Sequence, residues 1–463
     1  MNYSGQEVHL MVLVHGFWGK PVHLYSIRDE MRKRFPDMDV FTPKTFAGNL
    51  TYDGVEVCGD RVVQEIYSRI EEHELSGKVV RKFSIGGYSL GGLIARYVVG
   101  ELFSSGFFEK VEPKNFTTFA TPHLGTCTTD DSIRTRLFNI FGRSLLSQTG
   151  RDLFIGDGGI LPELADPNLD YYKGLQIFQR ISLYANVTND RTVPFFTSFI
   201  TKYNPFDDLS RNQPLYLQDY SPVIIDLGKT LKRLQKPNPR AWGRRDYIFV
   251  IVLAIFGPLI IVGAVATITI SAQLSERRVR LMKLSERRKS AVTSALNFTD
   301  RPLARIRGAI KSNDEGISSF SQEIVEDMLD RDLPLTVGSR SRFASNETRD
   351  VDSLCHEQES LLDTHVLKAE RFRSEMEDRH SSVDLEASFD VSHIRTLGAF
   401  ESLQLSSEQE TMNSHLNRLN WHKYAVQIHK TFHSHAAIVA RQNSATLSEG
   451  LTVIRHFCDR LLL

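Results

Sequence analysis

One short stretch of the chain has the residue types and spacing that activate a serine for attack on an ester. Residues 87–91 read Gly-Tyr-Ser-Leu-Gly, between an apolar run at 80–86 and a helical apolar pattern at 90–102. In a turn of this type between a strand and a helix, the glycines avoid collisions that a Cβ would cause, and the serine hydroxyl is lifted out of the sheet. The pattern predicts that Ser89 is a nucleophile; a structural serine in a tight turn is the alternative.

A second motif follows the first apolar run of the chain, at 9–14, and reads His-Gly-Phe-Trp-Gly at 15–19. In α/β-hydrolases, the oxyanion that develops on the substrate is stabilised by two backbone N–H groups. One lies in the loop after an early strand, and the other belongs to the residue after the nucleophile. Phe17 and Leu90 are therefore predicted to form the oxyanion hole, with Trp18 as the alternative to Phe17.

A third motif could supply the acid of a catalytic triad. The apolar run at 179–185 leads into Asn-Val-Thr-Asn-Asp-Arg-Thr-Val-Pro at 186–194. The chain order serine, acid, histidine places the acid in a loop directly after a late strand, where it holds the imidazole in one tautomer. We predict that Asp190 is this acid, although an Asn-Asp pair is also common in ordinary turns.

The base must then come after Asp190, and every later histidine lies beyond an apolar segment at 247–272. The run at 424–429 alternates like a strand, and Thr-Phe-His-Ser-His-Ala-Ala follows it at 431–437. A histidine in the loop after the last strand fits the required order. The predicted base is His435, with His433 second and His456 third.

These motifs need a parallel sheet to bring them to one edge. Apolar runs alternate with helical patterns along the chain, which is typical of a doubly wound, mostly parallel α/β sheet with helices on both faces. The predicted strands are 9–14, 80–86, 116–120, 179–185 and 424–429, and the predicted helices are 28–35, 59–73 and 90–102. The fold class is therefore α/β, of the α/β-hydrolase type.

Composition sets limits on function. The chain has 463 residues, of which 41% are hydrophobic, so it can build a sizeable core. Lys plus Arg and Asp plus Glu both number 56, and this balance gives no indication of nucleic-acid binding. The four cysteines lack the spacing of a zinc site or a disulfide framework, which indicates a reducing compartment. The predicted chemistry needs no metal or cofactor.

The apolar segment at 247–272 contains 26 residues without a charge. As a helix it would be about 39 Å long, enough to cross a hydrocarbon core of about 30 Å. Lysines and arginines flank it on both sides, and Gly257-Pro258 interrupts it. Because Ser89 precedes the segment and the base follows it, we expect a re-entrant hairpin or monotopic insertion with both ends on the cytosolic side, rather than a full span.

Four parts of the chain follow from these patterns. Residues 1–225 form the hydrolase core with the nucleophile and the acid, and 226–290 hold the basic-flanked membrane segment. Residues 291–415 are polar with weak hydrophobic periodicity, which predicts a partly disordered insertion. Residues 416–463 return to the core and carry the histidine.

The motifs taken together resemble one family. His-Gly-Phe-Trp-Gly, Gly-Tyr-Ser-Leu-Gly-Gly, Thr-Pro-His-Leu-Gly, Asn-Asp-Arg-Thr-Val-Pro and His-Ser-His-Ala-Ala-Ile-Val-Ala-Arg occur in this order. They are similar to motifs of the fungal serine esterase (lipase) family, which includes a yeast lipid-droplet phospholipase. The resemblance covers about 8–225 and 419–445. It implies an α/β-hydrolase that acts on lipid esters such as glycerophospholipids, with Ser89, Asp190 and His435 as the triad.

One feature of yeast members is missing. They carry a His-x4-Asp acyltransferase motif, and no histidine of this chain has an aspartate five positions later. The expected function is therefore hydrolysis: a membrane-associated serine lipase or phospholipase at a cytosolic face, on lipid droplets or the endoplasmic reticulum. Its expected partners are the lipid substrate and a membrane or lipid-droplet monolayer. The alternatives are a thioesterase or protein-deacylating hydrolase, and an inactive membrane tether built on a hydrolase fold.

Overall fold

The computed structural model describes residues 6–126, 146–155, 159–206, 212–228, 232–233, 266, 268–282, 403–441 and 445–463. These residues belong to one compact unit, made of Met1–Leu284 and Ala387–Leu463. The catalytic motifs predicted from the sequence all lie within it.

A six-stranded parallel sheet forms the centre of this unit. Its strands are β1 Gln6–Val14, β2 Met38–Phe41, β3 Lys78–Tyr88, β4 Glu112–Phe119, β5 Arg180–Asn186 and β8 Trp421–Val426, in the order β2-β1-β3-β4-β5-β8. A short antiparallel pair, β6 Asn212–Gln213 and β7 Lys232–Arg233, lies apart from it. The mostly parallel sheet predicted from the apolar runs is confirmed.

Helices connect the strands. They are α1 Tyr25–Arg34, α2 Val55–Leu75, α3 Leu90–Ser104, α4 Ser147–Leu153, α5 Leu161–Leu164, α6 Asp170–Gln176, α7 Phe195–Phe199, α8 at 268–282, α9 Ser407–Leu416, α10 Ser434–Ala437 and α11 Gly450–Asp459. Short 3-10 helices include Gly48–Tyr52. Most crossovers place a helix between neighbouring parallel strands, as such a sheet requires.

Both faces of the sheet are buried, which explains why β1 is an almost continuous apolar run. Along β1, Leu10, Val12 and Val14 enter one core cluster with α2 and α3. Met11 and Leu13 enter the other, which includes side chains of α1 and α11. This alternation follows the two-residue period of a strand. Ser89, at the end of β3, is therefore held by a sheet with packed layers on both sides.

The last strand is supplied by residues far along the chain. β8 pairs in parallel with β5 from Ile181↔Trp421 to Asn186↔Val426. The loops after β5 and β8, which carry Asp190 and His435, consequently leave the same edge of the sheet as neighbours.

Most of the predicted membrane segment, at 247–265 and 267, lies outside the described residues. Among the helices that the structure does describe, none combines the length and apolar character needed to cross a bilayer. The membrane insertion predicted from the sequence and the four-part division of the chain stay predictions.

Candidate active site

The turn after β3 has the strained geometry of a nucleophile elbow. Ser89 has φ 57° and ψ −127°, a conformation that non-glycine residues rarely adopt. A Cβ built on Gly87 would lie 2.4 Å from the carbonyl oxygen of Gly91, and one on Gly91 would lie 2.2 Å from that of Val14. Both positions therefore require glycine.

Three side chains meet at this turn in a hydrogen-bonded series. The Nε2 of His435 lies 2.9 Å from the Oγ of Ser89, and its Nδ1 lies 2.8 Å from the Oδ2 of Asp190. In the tautomer with the proton on Nδ1, the Nδ1–H group donates a hydrogen bond to the carboxylate of Asp190. The lone pair of Nε2 then faces the hydroxyl of Ser89. The geometry is that of a serine, its general base and the acid that orients the base.

The carboxylate of Asp190 is buried and has several donors around it. Oδ2 also accepts from the Nδ2 of Asn186 at 2.9 Å, while Oδ1 accepts from the backbone N–H and hydroxyl of Thr192 and from the N–H of Val193. Burial acts to raise the pKa of Asp190, but His435 and these donors outweigh it and lower the pKa below the usual value. The group is thus ionised at neutral pH and ready to stabilise an imidazolium.

The backbone of His435 is fixed by the residue next to the nucleophile. The hydroxyl of Tyr88 donates to the carbonyl oxygen of His435 at 2.9 Å, and the two rings lie 5.1 Å apart. Burial raises the pKa of Tyr88, so the hydroxyl remains a donor at neutral pH. The strand that delivers Ser89 therefore also positions its base.

The loop after β1 lies directly against the serine. A Cβ built on Gly16 would be 2.7 Å from the Cβ of Ser89. The N–H of Trp18 donates to the Oγ1 of Thr51 at 3.1 Å. In the described part of the chain, neither the N–H of Phe17 nor that of Leu90 donates to a protein acceptor. Because the N–H of Trp18 already donates to Thr51, the N–H of Phe17 is the better candidate in this loop for a hydrogen bond to an oxyanion.

The other candidate histidines lie elsewhere. His433 is exposed at the N-terminus of α10, where its backbone N–H donates to Thr431. His456 is buried on α11, with its Nδ1 2.8 Å from the hydroxyl of Tyr184. Of the three histidines ranked from the sequence, the structure brings His435 to Ser89.

Sequence reasoning missed the residues that hold the acid and the base in place. Asn186 is the last residue of β5, and Thr192 and Val193 close a turn around the Asp190 carboxylate. Their proximity in sequence to Asp190 was a signal for this role. The contact between Tyr88 and His435 joins residues from distant parts of the chain, and no local pattern indicates it.

A buried carboxylate links the loop after β1, which carries Phe17 and Trp18, to α8. Asp53 is fully buried; its Oδ1 accepts from the Oγ of Ser275 at 2.6 Å and from Arg278 at 2.9 Å, and its Oδ2 accepts from Arg61 at 2.7 Å. The preceding residue, Tyr52, accepts a hydrogen bond from the indole of Trp18 at 3.0 Å. Helix α8, which begins within the last residues of the apolar segment, is thus bound next to the candidate site.

The site has the parts needed for acyl transfer: a nucleophile, a base, an acid that orients the base, and unoccupied backbone donors. Among the described residues, no group of three or more His, Cys, Asp or Glu could hold a metal ion.

With this geometry established, comparison with known proteins is informative. Residues 4–202 match the family model described as "Putative serine esterase (DUF676)". The match covers less than half of the chain, so it is a similarity of this part of the chain to that family. The match includes Ser89 and Asp190 and ends before the strand and loop that supply His435.

Curated relatives carry names of the same kind. "Putative lipase ROG1" of Saccharomyces cerevisiae is 31% identical over 248 residues, which are 50% of this chain and 32% of that protein. "Putative lipase C4A8.10" of Schizosaccharomyces pombe is 26% identical over 211 residues, 42% of this chain and 26% of that protein. The chain thus spans about a third or less of the length of these relatives.

Solved structures show only weak overall similarity. An extracellular α/β-hydrolase from a Paenibacillus species is 16% identical, with a TM-score of 0.26 over 40% of this chain and 80% of its own. A lipase-esterase related protein from Clostridium acetobutylicum is 14% identical, with a TM-score of 0.25 over 42% of this chain and 81% of its own. Similarities of this size carry no weight for function.

Proposed function

We propose that the chain is a membrane-associated serine lipase that hydrolyses acyl esters of lipids, glycerophospholipids foremost, through an acyl-enzyme. The observation that carries the proposal is the series Ser89–His435–Asp190, with hydrogen-bond distances of 2.9 and 2.8 Å. It rests on side chains that are far apart in sequence and that meet at a strained turn.

In the first half of the reaction, Ser89 attacks the acyl carbonyl. The Nε2 of His435 removes the proton of the Ser89 hydroxyl as the oxygen–carbon bond forms, and Asp190 stabilises the resulting imidazolium. The carbonyl oxygen becomes an oxyanion that accepts hydrogen bonds from the N–H groups of Phe17 and Leu90. The imidazolium then gives its proton to the leaving alcohol, and an acyl-serine remains.

In the second half, water replaces the alcohol. The neutral imidazole of His435 removes a proton from the water as it attacks the acyl-serine, and the same two N–H groups hold the second oxyanion. Return of the proton to Ser89 releases the fatty acid and restores the starting state. The reaction needs no group beyond the residues of this site.

Exposed aromatic side chains next to the site support a lipid substrate. Trp18, adjacent to Phe17, is 49% exposed, and Phe432, three residues before His435, is 70% exposed. Aromatic side chains of this kind are favoured at the boundary between water and lipid. Trp18 packs against Phe17, and Phe432 lies on the loop that carries His435; in this proposal the two side chains form an apolar rim for the lipid.

Membrane attachment through the apolar segment is supported by what flanks it. Helix α8 begins within the last residues of the segment, at 268, and its Ser275 and Arg278 bind Asp53, while β8, further along, completes the sheet. Both sides of the segment therefore belong to the same folded unit. A hairpin or monotopic insertion satisfies this arrangement, whereas a single crossing would put the two sides on opposite faces of the membrane.

Two further parts of the proposal come from the resemblance seen in the sequence. These are the choice of glycerophospholipids and the location on the cytosolic face of lipid droplets or the endoplasmic reticulum. The basic flanks of the segment add attraction to anionic head groups.

Fluorophosphonate labelling of the membrane-bound protein tests the triad. We expect labelling of the wild type and of His433→Ala, and none of Ser89→Ala or His435→Ala. His433→Ala is the matched control, since it removes an exposed imidazole two residues from the proposed base. Labelling that survives in His435→Ala would refute the assignment of the base, and an unlabelled wild type would favour an inactive tether.

Substrate profiling tests the lipid class. The purified protein is given phosphatidylcholine vesicles, a triacylglycerol emulsion and an acyl-thioester, with Ser89→Ala as the blank. Fatty acid released fastest from the phospholipid supports the proposal, whereas preference for the thioester would support the thioesterase alternative.

A further inference from the structure

Arg96, in the second turn of α3, is the largest fully buried side chain of the described residues. Its Nη1 donates to the carbonyl oxygen of His123 over a long distance of 3.4 Å. Its Nε and Nη2 have no hydrogen-bond partner among the described residues, and no described carboxylate forms an ion pair with it. Burial lowers the pKa of Arg96 to about 9, so the guanidinium stays protonated at neutral pH.

Two further buried polar atoms without a partner lie on the loop that faces Arg96. They are the Oγ1 of Thr121 and the Nδ1 of His123. A Cβ built on Gly92, one helical turn before Arg96, would lie 2.0 Å from the Oγ1 of Thr121. The Nε2 of His123 is 2.9 Å from the hydroxyl of Thr118, which leaves Nδ1 able to donate when that hydroxyl donates to Nε2. The helix and the loop that contacts it thus each carry buried polar atoms without a hydrogen-bond partner among the described residues.

The charges in this region are all of one sign. Lys423 is buried nearby, and its ammonium donates to two neutral oxygens, the carbonyl of Ile200 at 3.0 Å and the Oδ1 of Asn417 at 2.6 Å. Burial, and then the charges of Arg96 and Lys423, lower the pKa of His123 well below its usual value. A buried charge without a counter-ion is costly, because it has lost its hydration shell. Burial lowers the pKa of Lys423 to about 7, so Arg96 is the cation that persists at neutral pH, and the described residues supply no anion here.

We infer that Arg96, Thr121 and His123 form a buried binding site for a small monovalent anion, of which chloride is the simplest example. The guanidinium, a hydroxyl and an imidazole N–H are donors of the type that hold an anion. A monovalent ion suits the site better than phosphate or sulfate, since Lys423 donates to two neutral oxygens and is not one of the donors of the site, so a second negative charge would be dehydrated without a cation beside it. The anion would neutralise Arg96 and satisfy the orphan donors.

The site lies behind the nucleophile elbow. Helix α3 begins directly after Ser89, and the N–H of Ser89 donates to the carbonyl oxygen of Phe119, shortly before the Thr121 loop. A bound anion would therefore join the helix and the loop that support the serine. Its first expected effect is on stability, and this expectation does not depend on the proposed function.

Thermal unfolding of the full-length protein in sodium chloride and in sodium gluconate, at equal ionic strength, tests the inference. We expect chloride to raise Tm by at least about 2 °C, with saturation as its concentration increases. Arg96→Met should lose this difference. Arg69→Met should keep it, because Arg69 pairs with Asp39 on the surface and lies outside the site. Equal Tm values for the wild type in the two salts would overturn the inference.

Two further experiments cover the case in which Arg96→Met fails to fold. Arg96→Lys keeps the charge and loses the fork of donors, so it should keep the chloride effect with a higher midpoint concentration. Crystals of the wild type grown with sodium bromide should show an anomalous difference peak within hydrogen-bond distance of the Arg96 guanidinium. Density of ordered water at that position, with no anomalous signal, would refute the anion site.

Discussion

Replacing Asp190 with asparagine is the most direct perturbation of the proposed triad, because it changes one atom and one charge. The carboxylate accepts five hydrogen bonds. Oδ1 takes three, from the N–H and hydroxyl of Thr192 and from the N–H of Val193. Oδ2 takes two, from the Nδ1 of His435 and the Nδ2 of Asn186. An asparagine must place its NH2 group on one of these two sides.

The hydrogen bonds decide which side. An NH2 group facing Thr192 and Val193 would lose the two bonds from their backbone N–H groups, at a cost of about 1–3 kcal/mol if each contributes about 0.5–1.5 kcal/mol, whereas the Thr192 hydroxyl could rotate and accept. An NH2 group facing His435 loses less. Asn186 can rotate its amide, since its Oδ1 has no partner among the described residues, and His435 can move its proton to Nε2. The asparagine should therefore hold His435 in the tautomer whose Nε2 cannot accept the proton of Ser89.

We expect kcat for a soluble ester such as p-nitrophenyl butyrate to fall roughly 10⁴-fold, the loss known for this change in a serine protease. That loss corresponds to about 5 kcal/mol of transition-state stabilisation. The fold should persist, because only one hydrogen-bonding side is rearranged, and thermal unfolding checks this. A folded Asp190→Asn protein that loses less than about tenfold in kcat would show that Asp190 does not orient the base.

Three other substitutions have defined outcomes. Gly16→Ala should push the oxyanion loop from the serine and lower kcat about 10²- to 10³-fold without loss of folding; unchanged kcat would exclude this loop from the reaction. Burial lowers the pKa of His15 to about 4, so only the unfolded chain gains this proton between pH 6.5 and 4. The free energy of unfolding of the wild type should therefore fall as the pH drops through that window. Denaturant titrations at several pH values should show a smaller fall for His15→Gln. Arg278→Gln should destabilise the fold by roughly 1–2 kcal/mol, since buried Asp53 loses a donor, whereas Arg280→Gln, exposed on the same helix, should stay within about 0.5 kcal/mol; equal effects would contradict the role of Asp53.

The sheet and the elbow could be predicted because their signals are local. A strand such as β1, buried on both faces, is an almost continuous apolar run, and the turn at Ser89 tolerates only glycine at Gly87 and Gly91. The short strand Met38–Phe41 was missed, since four residues with alternating burial leave too little pattern. Elements whose signal is short, or depends on distant contacts, could not be predicted.

The boundaries of β8 show how a polar side chain hides a strand. The apolar alternation placed this strand at 424–429, and the structure places it at Trp421–Val426. Lys423 lies inside it and is buried, because its ammonium reaches the carbonyl of Ile200 and the side chain of Asn417. A lysine in a sequence indicates solvent unless its partners are known. The shift of the strand therefore follows from contacts that no local pattern reveals.

Which of His433 and His435 faces Ser89 depends on the backbone conformation of residues 433–437. In a strand, two residues that are two positions apart point to the same side, and both histidines could have faced Ser89. In a helix, a separation of two residues turns the side chains by about 200°, to nearly opposite sides. The structure has a short helix at Ser434–Ala437, immediately after His433, and His435 lies against Ser89 while His433 is exposed. A four-residue helix is too short to be recognised from sequence periodicity, so the order of the motifs could rank these histidines but only the fold could separate them.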